Sequence, residues 1–205
     1  MARRSYRWLM VALAVVGLAA DQGSKYGMFR KLYNGTTRGD QEVVDGWFKF
    51  TAEYDRSVQP CDCWVRSLQT WSAPDMPRVN HGALFGLGGD HKGDANQIFA
   101  AVSMLAAAGI LVWVSRKSTA QDRWLCAALG LIFGGTIGNL YDRLVFNGVR
   151  DFLYFYKVEW PVFNVADCCL VVGAIMLMLH AFFSREPKVE VPVAPVPAPT
   201  PPATS

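Results

Sequence analysis

The chain has 205 residues, 52% of them hydrophobic, with 20 basic and 17 acidic side chains and a formal net charge of +3. That length argues for one compact unit rather than two domains, and so small a basic excess gives no reason to expect a nucleic-acid partner. Composition alone leaves room for a soluble, core-rich protein, but the distribution of the apolar residues does not.

Residues 98–114, 124–141 and 162–183 are long apolar runs in which Asp167 is the only acidic residue. Each approaches the ~20 residues that span a bilayer core. A fourth run, 8–20, is shorter and can span only if its helix continues through Asp21-Gln22-Gly23-Ser24-Lys25. Arg3, Arg4 and Arg7 before that run, and small residues at its end, fit a cleaved secretory signal as well as an anchor. The expectation is a membrane α-helical fold: four transmembrane helices and a small extracytoplasmic β-rich segment. One membrane domain covers residues 1–185, with an enlarged outer loop at 26–79. Residues 186–205, rich in Pro, Val and Ala, read as a disordered cytoplasmic tail.

Basic residues in short flanking segments set orientation. Arg3, Arg4 and Arg7, then Arg116, Lys117 and Arg123, then Arg185 and Lys188 all fall on one side of a four-span chain. Both termini are therefore expected in the cytoplasm, with 26–96 and 142–161 outside.

Along the chain, Asp21 and Lys25 stand at i, i+4 in the favourable acid-before-base order for a helical pair. An interfacial anchor with Lys25 reaching to head groups is the other reading. Alternation through Trp47, Phe48, Lys49, Phe50, Thr51, Ala52, Glu53 and Tyr54 predicts a strand. Cys61 and Cys63 lie outside the cytosol, where a disulfide persists. They are read as bridged to each other or as free thiols. A structural zinc site is not expected, because it wants four Cys or His ligands. Asn80-His81-Gly82-Ala83-Leu84-Phe85-Gly86 reads in isolation as a flexible loop, and neither His81 nor His91 has a metal-ligand spacing.

Gly130, Gly134, Gly135 and Gly138 give the third span a small face for close helix packing. Asn139, Asp142 and Arg143 follow at i, i+3, i+4, on one side of the helix, and an Asp142–Arg143 pair is expected to hold the polar cluster together. Phe152, Tyr154, Phe155, Tyr156 and Trp160 read as an interfacial aromatic belt. Asn164 and Asp167 share a face in the first turns of the last helix, where the macrodipole favours a carboxylate. Asp151 and Asp167 flank the aromatic stretch, so a chain reversal there brings two carboxyls together, the arrangement of an aspartic protease.

Four blocks in order, DQGSK at 21–25, NHGALFG at 80–86, GNLYDR at 138–143 running into VRDF at 149–152, and FNVAD at 163–167, resemble the lipoprotein signal peptidase (type II signal peptidase) family of bacteria. The resemblance implies a membrane aspartic endopeptidase of the bacterial inner membrane with its site at the outer face. Its substrate is a diacylglyceryl-modified prolipoprotein, cut just before the lipid-bearing cysteine. It implies Asp151 and Asp167 as the catalytic pair. Asp21, Lys25, Asn80, Gly82, Asn139, Asp142, Arg143 and Asn164 are implied as residues that support the site or bind substrate. No cofactor and no metal are implied; membrane lipid is a partner and a monomer is expected. The chain departs from the pattern in its long interval between Asp21 and Asn80, in His81 and in Leu84. Two other readings stay open. One is a specialised or inactive relative with a different lipidated substrate; the other is an ion or proton pathway using Asp142, Asp151 and Asp167 as relays. The clustering of polar residues at one membrane face argues against the pathway.

Overall fold

The computed structural model describes residues 4–82 and 92–183. Arg3, His91, the Ala83 to Gly86 part of NHGALFG and the 186–205 tail lie outside the described residues. In chain order the elements are α1 (Arg7–Leu32), β1 (Arg38–Val44), β2 (Phe48–Asp55), α2 (Arg66–Gln69), β3 (Met76–Pro77), α3 (Lys92–Ser115), α4 (Lys117–Ala120), α5 (Arg123–Phe146), β4 (Leu153–Tyr154), a 3-10 turn (Tyr156–Val158) and α6 (Val165–Phe183).

Among the described residues three helices are long and apolar enough to cross a membrane: α3 over Asp94–Ser115, α5 and α6. The first helix runs unbroken through DQGSK to Leu32, 26 residues in all, a rod of about 39 Å at 1.5 Å per residue. Lys25 is fully buried, which rules out its reading as a head-group anchor. A cation so placed needs a carboxylate beside it, and Asp21 one helical turn earlier supplies that.

The central helix is α5, with α1, α3 and α6 packed around it. Its glycines are what allow this. A Cβ on Gly130 would come 2.6 Å from the Met10 carbonyl oxygen and one on Gly134 2.8 Å from that of Ala14, both on α1. On the other side, a Cβ on Gly135 would come 2.5 Å from the Ala166 carbonyl oxygen of α6. The small face read from the sequence therefore serves two neighbours. Exposed apolar side chains such as Leu105, Val112, Val172 and Phe182 remain on the outer faces of α3 and α6, as they do where the solvent is lipid.

The strand expected around Trp47 is β2, the middle of a small antiparallel sheet. It pairs with β1 along its length, with β4 at Lys49–Tyr154 and Phe50–Leu153, and with β3 at Tyr54–Pro77. The sheet sits on the last turns of α1, where Phe29, Leu32, Ala52, Tyr54, Ala73 and Phe152 form one buried cluster. Phe152 thus belongs to that core and not to the aromatic belt; Tyr154 is in the sheet, and Tyr156 donates its hydroxyl to Glu42. Phe155 and Trp160 are the two of the five that are exposed as belt residues should be, at 41% and 60%. Cys61 and Cys63 are bridged to each other.

Because the α5–α6 contact has no room for a side chain, Gly135→Val is expected to cost about 1–3 kcal/mol, the usual penalty of overpacking. It should lower the midpoint of thermal unfolding in detergent. Gly23→Ala, where an added Cβ meets nothing within 4 Å, should not lower it.

Candidate active site

Two polar clusters lie side by side at the end of the bundle beneath the sheet. The first is ionic. Asp21 and Lys25 of α1, Asp142 of α5 and Arg150 in the following loop are each no more than 1% exposed. The Lys25 ammonium donates to Asp21 Oδ2 at 2.9 Å and lies 3.4 Å from Asp142 Oδ2. Arg150 donates from Nη2 to Asp142 Oδ1 at 2.9 Å and from Nε to Oδ2 at 3.2 Å, and its backbone N–H donates to Oδ2 at 2.9 Å. Gln22 joins the pairs, donating to Asp21 and Asp142 and accepting from Arg150. The second oxygen of Asp21 accepts from the Ala166 backbone N–H at 2.9 Å, so α1 also holds the first turn of α6. Two buried carboxylates thus face two buried cations, the condition under which buried charge is tolerated.

The expected Asp142–Arg143 pairing is corrected by this geometry. A helix turns by 100° between neighbours, so Asp142 points at α1 while Arg143 points at α3. The Arg143 guanidinium lies 4.9 Å from the Phe99 ring and 3.4 Å from Asn96 Oδ1. The true partner, Arg150, was missed from sequence, although it sits inside VRDF. Its signal is that an arginine beside two buried-side residues needs a carboxylate, and Asp142 is eight positions back.

The second cluster contains Asp151 and Asp167, which among the described residues accept from amides. Backbone bridges build it. Asn80 and Val149 exchange N–H···O bonds of 2.8 Å in both directions, which straps the loop before α3 beside Asp151. Leu153 and Phe163 pair in the same way, closing the chain reversal that brings Asp151 to the start of α6. There Asn164 caps the helix: its Oδ1 accepts from the Asp167 N–H at 3.0 Å, and Asp167 Oδ2 accepts from the Asn164 N–H at 3.1 Å. This reciprocal capping box fixes the Asp167 carboxyl from its own backbone. The Asn164 side-chain amide donates to Asp151 Oδ1 at 2.7 Å, so one asparagine holds both acids. Asn139 donates to Asp167 Oδ1 at 2.9 Å, and its oxygen accepts from Lys25 at 3.1 Å. Asn80 donates to Asp151 Oδ2 at 3.1 Å while its oxygen accepts from the Gly82 N–H. Gly82 has a φ of +84°, and a Cβ there would strike the Phe99 ring at 2.4 Å.

Burial, then the neighbouring charge of Asp167, push the Asp151 carboxyl up to about 6, against the lowering effect of the Asn164 and Asn80 amides. A groove of about 300 Å³ runs past this carboxyl, lined by Thr51, Glu53, Arg78, Asn80, Pro161 and Val162 among others. No group of three or more His, Cys, Asp or Glu side chains suited to a metal occurs among the described residues. His81 instead bonds through Nδ1 to the Asn147 carbonyl at 2.8 Å.

An acid whose pKa is raised on folding takes up a proton as the chain folds. Its stabilising contribution is full below the ordinary aspartate value of about 4 and is lost as pH rises through the folded value. With Asp151 at about 6, the thermal midpoint should fall between pH 4 and pH 7.5, and Asp151→Asn should flatten that dependence. An unchanged slope in the variant would mean that Asp151 titrates normally.

The model of the Signal peptidase (SPase) II family matches residues 76–183. The lipoprotein signal peptidase of Pseudomonas syringae pv. tomato is 43% identical over 189 residues, 91% of this chain and 90% of its own length. That of Rhodopirellula baltica is 36% identical over 188 residues, 85% of this chain and 71% of its own length. A bacterial membrane enzyme solved by the in meso method at 2.3 Å resolution shares the fold, with a TM-score of 0.67 over 95% of this chain and 99% of that one at 20% identity. With the family match spanning the segments that carry Asn80, Asn139, Asp151 and Asp167, this chain belongs to the signal peptidase II family.

Proposed function

We infer that this chain removes the signal peptide from diacylglyceryl-modified prolipoproteins, cutting just before the lipid-bearing cysteine, with Asp151 and Asp167 as the working acids. The observation that carries the reading is the pair itself. Two carboxyls are joined through Asn164, and one is pushed up to about 6, beside a separate cluster whose charges are already balanced.

Neighbouring carboxyls that cannot both ionise easily share a proton, and their titration belongs to the pair. Asp151 is the proton-bearing member and Asp167, at the N-terminus of α6, the ionised one, favoured there by the helix dipole. Asp167 takes a proton from water as the oxygen attacks the scissile carbonyl, while Asp151 donates to the carbonyl oxygen. In the second half of the reaction the proton passes to the leaving amine. This sequence needs no metal. The groove beside Asp151 takes the peptide in an extended form along the sheet edge. Asn80 and Gly82 shape its floor, and Arg143, against Phe99, is available to substrate carbonyls. Asp21, Lys25, Asp142 and Asn139 hold the acids in place.

The topology that goes with this reading has four spans. The 26-residue α1 is the fourth, both termini are cytoplasmic, and the acids lie at the outer face of the bacterial inner membrane. There the diacylglyceryl chains stay in lipid between helices, each buried methylene contributing about 0.8 kcal/mol to binding. A monomer goes with this reading. A proton pathway is not favoured, because the ionisable residues gather at one end of the bundle and the family is one of peptidases.

Purified protein in detergent should cleave a diacylglyceryl-prolipoprotein and leave the unlipidated precursor uncut. Asp151→Asn and Asp167→Asn should each lower the rate by on the order of 10³-fold, the scale of a lost general acid or base. Substantial turnover by either variant overturns the acid pair. Because Asp151 must carry its proton, kcat/KM should decline as pH rises through about 6; a profile that keeps rising beyond pH 8 overturns its role as donor.

A further inference from the structure

Two features of this chain that the family reading does not absorb meet at one place. The stretch 56–75 precedes the matched residues 76–183, and Arg150, next in the chain to Asp151, is a fully buried arginine. The Arg150 guanidinium is sandwiched between two rings, its carbon 4.2 Å from the centre of Tyr26 and 4.0 Å from that of Phe146. The 56–75 stretch holds Phe146 and the backbone of Tyr26 from outside. Gln69 donates from Nε2 to the Val145 carbonyl at 2.7 Å, beside Phe146, and its oxygen accepts from the Cys61 N–H at 2.9 Å, in the turn that the Cys61–Cys63 disulfide closes. Leu68 packs on the cluster of Met76, Val145 and Phe146, together with Tyr26. The Ser72 hydroxyl donates to the Tyr26 carbonyl at 3.0 Å. Only about 10 Å³ of space remains between this stretch and Arg150, no more than a single water needs.

We propose that residues 56–75 are a brace for the active site and that Arg150 is the positioning residue through which the brace acts. The proposal rests on the reading of Asp151 as a working acid. The stretch fixes the ring of Phe146 and the backbone of Tyr26; the two rings fix the plane of the Arg150 guanidinium; Arg150 then meets Asp142 through two side-chain donors and its own backbone N–H. With the Arg150 backbone pinned at that N–H, the next residue, Asp151, has little freedom to swing away from Asn164. Arginine is the residue type for this place, since its planar fork stacks between two rings and binds a carboxylate through two donors at once, a combination the compact lysine ammonium does not offer. In this way a surface insertion that touches neither acid sets the geometry of one of them.

The test is a mutant cycle read by cleavage kinetics on a diacylglyceryl-prolipoprotein, with full pH profiles and thermal midpoints, on the full-length chain in detergent. Arg150→Lys should lower kcat by on the order of tenfold with KM held within about twofold, as expected when the geometry of a reacting group is lost rather than binding. Arg150→Met, which leaves Lys25 as the cation facing Asp142, should be slower still. Gln69→Ala should lower kcat by about threefold and shift the high-pH limb of the profile, and its effect should shrink or vanish in the Arg150→Lys background, since coupled positions are not additive. Should Arg150→Met fail to fold, the Arg150→Lys background alone closes the cycle. A Gln69→Ala variant that loses thermal stability but keeps wild-type kcat and pH profile overturns the brace. So do effects of Gln69→Ala and Arg150→Lys that multiply in full. Asp151→Asn separates the two levels: if it stays active, the acid pair is wrong, whereas if it is dead and both Arg150→Lys and Gln69→Ala cleave normally, only the brace is wrong.

Discussion

The structure depends on a balance of four buried charges, Asp21, Lys25, Asp142 and Arg150, each withdrawn from the surface and so dependent on its partners. Removing one partner of a buried pair typically costs about 3–5 kcal/mol, because the charge left behind is uncompensated. The cluster therefore fixes the relative position of everything that contributes to it. Asp21, Gln22 and Lys25 come from α1, Asp142 from α5 and Arg150 from the loop; the first turn of α6 is held through the Ala166 N–H. It also dictates the glycines. A Cβ at Gly138 would lie 2.6 Å from Asp21 Oδ2, so the ion pairs form only because that helix face is bare, and close helix approach is tolerated because its polar groups are satisfied.

Set against this cluster, the neighbouring acids differ in one respect that matters for chemistry. Asp21 and Asp142 accept directly from cations, while among the described residues the hydrogen-bond donors to Asp151 and Asp167 are neutral: the Asn80, Asn139 and Asn164 amides and the Asn164 backbone N–H. A cation in direct contact would hold both acids ionised and leave no proton to donate. Asn139 stands between, accepting from Lys25 on one side and donating to Asp167 on the other. Two carboxyls close together and each held by amides thus stand apart from the balanced ionic cluster beside them.

Much of this was legible in the sequence, and what was not has physical reasons. Apolar runs marked α3, α5 and α6 within a few residues, since length and hydropathy are local properties. The closeness of Asn164 to Asp167 and the helical pair Asp21–Lys25 were legible because i, i+3 and i, i+4 spacings translate directly into contact, whereas the role of Asn164 as the cap before α6 was not. Pairings across the fold were not. Asp142 has an arginine as its immediate neighbour in sequence, yet adjacent residues on a helix diverge, and its partner arrives from the loop. Phe152 carries the composition of a membrane belt, but its place is decided by β2 and α1, which fold over it from more than a hundred residues away. β1 is mostly polar and exposed along its length, so nothing in its pattern announces a strand; it exists because β2 offers it an edge.

The first helix shows the same limit most clearly, and it bears on topology. Measured by hydropathy, α1 falls short of the other three helices, because Asp21, Gln22 and Lys25 and several glycines sit within it. Hydropathy counts a side chain as though it faced lipid. Here the buried positions Met10, Ala14, Gly17, Asp21, Lys25 and Phe29 recur at intervals of three and four, so they form one stripe, and that stripe faces the bundle. Its charges are solvated by Asp142, Asn139 and the α6 terminus rather than by water, while Val11, Val15 and Val16 on the opposite side are exposed. A helix with a protein-facing polar stripe and an apolar back makes no greater demand on a bilayer than a uniformly apolar one. Its deficit in hydropathy measures what it contributes to the ionic cluster, where Lys25 meets both Asp21 of its own helix and Asp142 of α5.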